Sequence, residues 1–194
     1  MFDVLTAAGR HLKTITYHKY LVAQGCFQIG LYRQGLLHDL SKYSPQEFLV
    51  GVRYYQGNRS PNDAEREQRG YSSAWLHHKG RNKHHFEYWI DYSKQARPGE
   101  MVPVPMPDRY IAEMFVDRIA ACKVYLGKDY TDGAPYAYFL KGKAHACMHT
   151  DTRDKLERYL KMLDRYGEKR TFRRIRQELL RGTGNKRQTV HTMQ

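Results

Sequence analysis

The stretch PDRYIAEMFVDRIAACKVYL, residues 107–126, carries the clearest signal of the fold. Its apolar residues fall on nearly every face of a helix, which is typical of a helix buried on most sides. Pro107 and Asp108 mark the start, because proline is well tolerated at the first helical position. The sequence therefore predicts a helix from Asp108 to Leu126 that has little polar surface.

The residues before this helix are also predicted to be helical. Residues 4–24 place apolar side chains at helical spacing. Residues 26–40 are an apolar stretch, in which two glycines weaken the prediction of one unbroken helix. Ser44-Pro45-Gln46-Glu47 has the pattern of a capping box, whose serine and glutamate side chains close the start of a helix. We expect that helix to run to about Tyr55.

The other segments are predicted to be loops and further helices. A histidine-rich segment begins with an acidic first turn at Asp63 and breaks near Gly80. The connector 97–107 contains four prolines, which exclude a helix or a central strand. No run of alternating polar and apolar residues indicates a strand, so the predicted fold class is all-α, a compact helical single domain. The remaining predicted helices lie near 135–142, 151–166 and 169–181.

The length of 194 residues fits one domain that buries a core without disulfides. We expect a helical domain over 1–182, with basic helices over 151–182 as its C-terminal part, and a flexible tail over 183–194. Neither a signal-peptide pattern nor an apolar run of about 18 residues is present, which predicts a cytoplasmic protein that does not span a membrane. Three cysteines in apolar surroundings suggest buried thiols in a reducing compartment: Cys26, Cys122 and Cys147.

The net charge of +13 indicates an anionic partner, such as nucleic acid, a phosphorylated small molecule or a membrane surface. Residues 153–187 hold thirteen Lys or Arg against five Asp or Glu, and so supply +8 of the total. The basic excess therefore lies mainly in the C-terminal part, away from most of the histidines.

The dipeptide His38-Asp39 lies among leucines in GLLHDLSKY, which implies a buried position. A buried carboxylate without a partner costs several kcal/mol, so Asp39 needs a cation or strong donors beside it. Imidazole and carboxylate are common ligands of divalent metals, and one backbone turn can present both. The alternative is that Asp39 pairs with Lys42 and that His38 is an ordinary core histidine.

Glu113 and Asp117 are two acids in the otherwise apolar helix 108–126, four positions apart and hence on one side of it. They could belong to a buried polar site. The alternative is a surface ion pair with Arg109 or Arg118, although this helix has little polar face.

Two histidine doublets stand in HHKGRNKHHFEYW, residues 77–89. Four imidazoles within nine residues favour contact with a metal or a phosphate over an exposed basic face. His78, His84 and His85 are the predicted metal ligands. Lys79, Arg81 and Asn82 lie between the doublets and are predicted to contact a substrate phosphate.

Nearly the whole chain resembles an uncharacterised bacterial family, known only as a domain of unknown function, some of whose members are labelled catalase. The similar stretches are HLKTITYHKYLV, GLLHDLSKYSPQEF, GYSSAWLHHKGRNKHHFEYWID, MPDRYIAEMFVDRIAA and KDYTDGAPYAYF. A catalase would need a haem ligand or the Glu-x-x-His motifs of a di-manganese bundle. The sequence has no Glu-x-x-His motif, and we discount that label.

The order of His18, His38-Asp39, the later histidines and Asp117 resembles more distantly the HD superfamily of metal-dependent phosphohydrolases. That resemblance implies an HD-like helical fold and hydrolysis of phosphomonoesters or phosphodiesters, possibly of nucleotides. It implies a divalent metal, Mn, Fe, Zn, Ni or Mg, and a lysine, Lys42, that approaches the phosphate. Glu113 is a candidate for orienting a ligand histidine or for acid–base catalysis. The resemblance implies these core metal ligands: His18, His38, Asp39 and Asp117.

Two hypotheses compete with the enzyme. In the first, the basic C-terminal helices and residues 75–92 bind nucleic acid. In the second, the chain is a non-catalytic HD-like scaffold. Neither hypothesis, nor the hydrolase, fixes the substrate or the oligomeric state.

Overall fold

The computed structural model describes residues 4–94, 97, 99–142 and 147–189, the last seven by their backbone alone. The helices confirm the predicted all-α class. Single 3₁₀ turns lie at Leu40–Tyr43, Phe86–Tyr88 and Gly127–Asp129. The α-helices are α1 Val4–Gln28, α2 Tyr32–Leu37, α3 Pro45–Arg53, α4 Pro61–Arg69, α5 Ser73–Lys79, α6 Asp108–Leu126, α7 Ala134–Gly142 and α8 Thr150–Thr189.

A small antiparallel hairpin corrects the expectation that no strand forms. Strand β1, Ile90–Tyr92, pairs with β2, Met101–Pro103, in the register Ile90 to Pro103 and Tyr92 to Met101. Proline is tolerated here because a two-stranded sheet consists only of edge strands. The connector is therefore extended, as predicted, but part of it is a strand.

Helix α6 is the centre of the molecule and has the bounds that the sequence predicts. Phe115 on α6 is fully buried and contacts two aromatic rings of α8, Tyr159 at 5.7 Å and Phe172 at 6.1 Å between ring centroids. On its other side, α6 packs against α1. Gly25 makes that crossing close, since a Cβ atom there would lie 2.6 Å from Val116 Cγ1.

One predicted helix boundary was wrong and another is confirmed, and a glycine with positive φ lies at each of the two places. The stretch 26–40 divides between α1 and α2, with Gly30 at φ +84° in the turn. The two predicted basic helices, 151–166 and 169–181, are both present within α8, because Gly167, at φ +76° and ψ 169°, is not helical and separates them. Glycine adopts such conformations at low cost because it lacks a Cβ atom.

The cysteine prediction holds only in part. Cys26 is buried, Cys122 is half-buried and Cys147 is exposed, and all three are free thiols. Cys147 lies in the irregular segment before α8 rather than in a helix.

The predicted flexible tail, 183–194, lies outside the described side chains, and residues 190–194 lie outside the described backbone as well. Within the described ranges, none of the helices combines the length and the apolar character needed to cross a membrane.

Candidate metal centre

A cluster of histidines and carboxylates is enclosed where α1, α5 and α6 meet the turn after α2. His18 comes from α1, and the His38-Asp39 pair comes from the turn after α2. His78 lies on α5, while Glu113 and Asp117 lie one helical turn apart on α6. The structure thus brings together all seven predicted metal ligands: His18, His38, Asp39, His78, His84, His85 and Asp117.

Asp39 is held in the left-handed conformation, with φ 52° and ψ 27°. Among the described residues it is the only non-glycine residue with positive φ. Aspartate tolerates this conformation better than most residues, but it still carries backbone strain. The sharp turn directs the side chains of His38 and Asp39 into the same space and starts the 3₁₀ turn that carries Lys42.

The first group of possible metal ligands lies around Asp39 Oδ2. His38 Nε2 is 3.3 Å and His18 Nε2 is 3.7 Å from this oxygen. Asp117 Oδ1 completes the group, 3.0 Å from His18 Nε2 and 3.5 Å from His38 Nε2. Two imidazoles and two carboxylates are therefore close enough to bind one metal ion.

The second group lies around the other oxygen of Asp39, Oδ1. His78 Nε2 and His84 Nε2 are each 3.3 Å from it. His85 Nε2 lies 2.9 Å from His78 Nε2. The two groups share Asp39, whose carboxylate directs one oxygen towards each group.

Several atoms of the cluster are buried without a hydrogen bond, which is costly unless a cation binds them. Asp39 does pair with Lys42, as the alternative interpretation of the sequence predicted, since Lys42 Nζ lies 2.6 Å from Oδ2. Neither oxygen of Asp39, however, accepts a hydrogen bond from the described residues. Three imidazole nitrogens that face the same space are equally unsatisfied. The arrangement fits a metal site, in which these atoms would be ligands: Asp39 Oδ1 and Oδ2, His18 Nε2, His38 Nε2 and His84 Nε2.

Glu113 orients one imidazole from each group. The Nδ1–H of His38 donates to Glu113 Oε1 at 3.0 Å, and His84 Nδ1 lies 3.2 Å from the same oxygen. Gln34 Nε2 donates to the other oxygen, Oε2, at 2.9 Å. A carboxylate on Nδ1 leaves the Nε2 lone pair free for a metal, which is the usual arrangement of ligand histidines.

Glu47 does the same for the first histidine doublet, and the sequence prediction missed this role. Its Oε2 accepts from His78 Nδ1 at 2.8 Å, and its Oε1 accepts from His77 Nδ1 at 2.6 Å. The hydrogen bonds of the predicted capping box are therefore absent. The predicted start of the helix is confirmed, with Ser44 as the N-cap residue and Pro45 as the first helical residue, but the side chain of Ser44 makes no capping hydrogen bond. The carboxylate of Glu47 is turned towards the histidines and is not used for the second bond of the box.

Two more residues, Lys19 and Ser41, also support the cluster. The sequence did not predict this role for either of them. Lys19 Nζ donates to the carbonyl oxygens of Leu36 and His38, at 2.6 and 2.8 Å, and so fixes the end of α2. Ser41 Oγ lies 3.2 Å from His78 Nδ1. A lysine beside a histidine on a polar helix face gave no signal of such a role.

The charges of the cluster keep its carboxylates ionised. Burial by itself would raise the pKa of Asp39, but His38 and Lys42 outweigh burial and hold that pKa well below its usual range. Asp117 shows the same balance: burial would raise its pKa, but the neighbouring imidazoles of His18 and His38 outweigh burial and lower it. Burial would also raise the pKa of Glu113, but the hydrogen bond from His38 and the nearby imidazole of His84 lower it to about 2. Ionised carboxylates are the form that binds metals.

The residues predicted to contact phosphate lie at different places. Lys42 is 28% exposed beside Asp39, and Asp117 is 16% exposed, so the cluster opens to solvent on this side. Arg81 is exposed and donates to the backbone of His77. The amide of Asn82 donates to Ser41 Oγ at 2.9 Å and to the His78 carbonyl at 2.8 Å, and Lys79 is half-buried. Contact of these residues with a phosphate stays a prediction.

Fold and site together define a class: a mainly helical protein with a buried histidine–carboxylate cluster that could hold metal ions. The chain belongs to a family of unknown function, DUF5662, whose model matches residues 7–162. The predicted resemblance to an uncharacterised family is thus confirmed, and the whole cluster lies within the match. No curated protein and no solved structure matches the chain. The resemblance to HD phosphohydrolases stays a prediction.

Proposed function

We propose that the protein is a phosphohydrolase that binds two divalent metal ions at this cluster. The proposal is based on one observation: three buried imidazole nitrogens surround the two oxygens of Asp39, and none of these atoms forms a hydrogen bond with the described part of the chain. Mixed imidazole and carboxylate ligands suit Mn, Fe, Zn, Ni or Mg. Without a metal, such buried groups would add little to the stability of the core. The order of the ligands along the chain, which resembles that of HD enzymes, supports the same reaction class.

The substrate class we propose is a phosphomonoester or phosphodiester, such as a nucleotide. Bound divalent ions would supply an acidified water, whose pKa falls from about 15.7 towards 7 in favourable sites, and would polarise a phosphoryl oxygen. We propose that Lys42 binds another phosphoryl oxygen, because its side chain is partly exposed and its ammonium group lies beside Asp39. Lys79 and Arg81 are proposed to neutralise further phosphate charge. Glu113 keeps the imidazoles of His38 and His84 in place.

The first test is the metal content of purified protein, measured by plasma mass spectrometry. We expect two ions per chain in the wild type and neither in Asp39→Asn, because Asp39 belongs to both groups. Asp117→Asn should lose one ion and keep the other, since Asp117 belongs to the first group alone. Glu67→Gln is the control, because this carboxylate is 64% exposed in a surface ion pair.

The second test is hydrolysis of p-nitrophenyl phosphate, its bis ester and a nucleotide panel by the metal-loaded wild type. We expect turnover that Asp39→Asn abolishes while its circular dichroism spectrum stays unchanged. A wild type that binds no added Mn²⁺, Fe²⁺ or Zn²⁺ would overturn the metal centre itself. Metal-loaded protein without turnover on any phosphoester would overturn the hydrolase and favour the non-catalytic scaffold.

A further inference from the structure

The part of α8 that follows the kink at Gly167 has one buried face and one strongly basic face. Phe172 and Ile175 point into the core and are at most 4% exposed. The opposite side is exposed and carries five cations over little more than three helical turns. This basic face consists of Lys169, Arg170, Arg173, Arg176 and Arg181.

The acids of this segment do not neutralise the basic face, because their partners lie elsewhere. Glu168 pairs with Lys123 of α6. Glu178 is engaged by Arg158 and Arg174, with distances of 2.7 and 2.9 Å. Within the described part of the chain, none of the side chains of these five cations takes part in an ion pair or a hydrogen bond.

We propose that the basic face of α8 binds the phosphate backbone of nucleic acid. A row of like charges on a rigid element is destabilising by itself, and an anionic partner would relieve this repulsion. The row from Lys169 to Arg181 is about 18 Å long at 1.5 Å per residue, which exceeds the length of a small phosphorylated molecule. A polyanion with regularly spaced charges matches this length.

A membrane surface fits the basic face less well than nucleic acid does. Helices that lie on membranes insert an apolar face between the lipids, but the apolar face of this segment is buried in the core. Leu180 is the exposed large aliphatic residue of the segment, at 64%. Tyr166, just before the kink, is 45% exposed and could stack on a base of a single strand.

The test is fluorescence anisotropy of the full chain with a labelled RNA single strand and a DNA duplex, each about 20 units long, at several salt concentrations. We expect micromolar binding whose logarithm falls linearly with the logarithm of salt concentration. The variant Lys169→Gln/Arg170→Gln/Arg173→Gln should bind at least about tenfold more weakly, with a salt slope reduced by about 2 to 3.

The matched control removes the same charge elsewhere, with the changes Arg10→Gln, Lys13→Gln and Lys141→Gln at exposed positions. It should bind as the wild type does. Equal loss of binding in both triple variants would show that net charge alone attracts the ligand and would overturn the inference. No binding by the wild type, or binding to phosphatidylserine vesicles without binding to nucleic acid, would also overturn it. The metal ligands are untouched, so the outcome is independent of the hydrolase.

Discussion

At the scale of single residues, the cluster is organised by three carboxylates, each of which contacts more than one histidine: Asp39, Glu47 and Glu113. Asp39 faces both groups of possible ligands, one with each oxygen. Glu113 contacts His38 from one group and His84 from the other through the same oxygen, Oε1. Glu47, in contrast, contacts only the first doublet and therefore supports one group.

This difference between Glu113 and Glu47 gives a prediction. Glu113→Gln should weaken the binding of both metal ions. The loss of negative charge affects the imidazoles of His38 and His84, and the new amide group would place an N–H donor against Gln34. Glu47→Gln should weaken the binding of only one ion, the one held by His78. Losses of orienting carboxylates commonly cost about 10- to 100-fold in affinity. Isothermal titration of metal-free protein with Zn²⁺ or Mn²⁺ measures both affinities.

The surface variant Glu67→Gln should titrate as the wild type does. If Glu47→Gln weakened both ions equally, or if Glu113→Gln weakened one alone, the assignment of these two carboxylates to the groups would be incorrect.

At the scale of elements, the crossing of α1 and α6 at Gly25 gives the next prediction. Gly25→Ala would place a Cβ atom 2.6 Å from Val116 Cγ1. Overpacking of this kind costs about 1 to 3 kcal/mol, which lowers the melting temperature of a protein of this size by about 2 to 4 °C per kcal/mol. The added Cβ atom should also shift α1 and so weaken the binding of the metal ion near His18. Thermal unfolding followed by circular dichroism checks the first effect, and metal titration checks the second.

Gly9→Ala in the same helix is the control, because no heavy atom lies within 4 Å of the added Cβ. It should raise stability by up to about 1 kcal/mol, the difference in helix propensity. If both substitutions lowered the melting temperature equally, the contact between α1 and α6 at Gly25 would not be the cause of the destabilisation.

The elements also show how far the sequence determines the fold. Helix α6 could be predicted to the residue, because an apolar segment between Pro107 and Gly127 has clear ends. The role of Glu47 could not be predicted, since glutamate three residues after Ser44 fits a capping box whether or not the box forms. Only the packing of α3 on α5 brings Glu47 to the histidines, and no local pattern encodes that packing.

At the scale of the whole molecule, the cluster joins segments that are far apart in sequence. His18 and Asp117 are 99 positions apart, yet their side chains lie 3.0 Å from each other. The sequence could predict the ligand types, because histidines and acids in apolar surroundings are costly without a purpose. It could not predict that the ligands form two groups around one carboxylate, since this depends on how α1, α5 and α6 are placed around the turn at Asp39.

Because the cluster fixes elements from both halves of the chain, removal of metal should destabilise the entire protein. A ligand that binds only the folded state adds RT ln(1 + [L]/Kd), or about 2.7 kcal/mol at 100 times Kd. For a protein of this size, chelation with EDTA should lower the melting temperature by roughly 5 to 10 °C, and added Zn²⁺ or Mn²⁺ should restore it. Calorimetry of Asp39→Asn is the control, because this variant should unfold at the same temperature with and without EDTA. An equal response of Asp39→Asn and wild type would place the stabilising metal elsewhere in the protein.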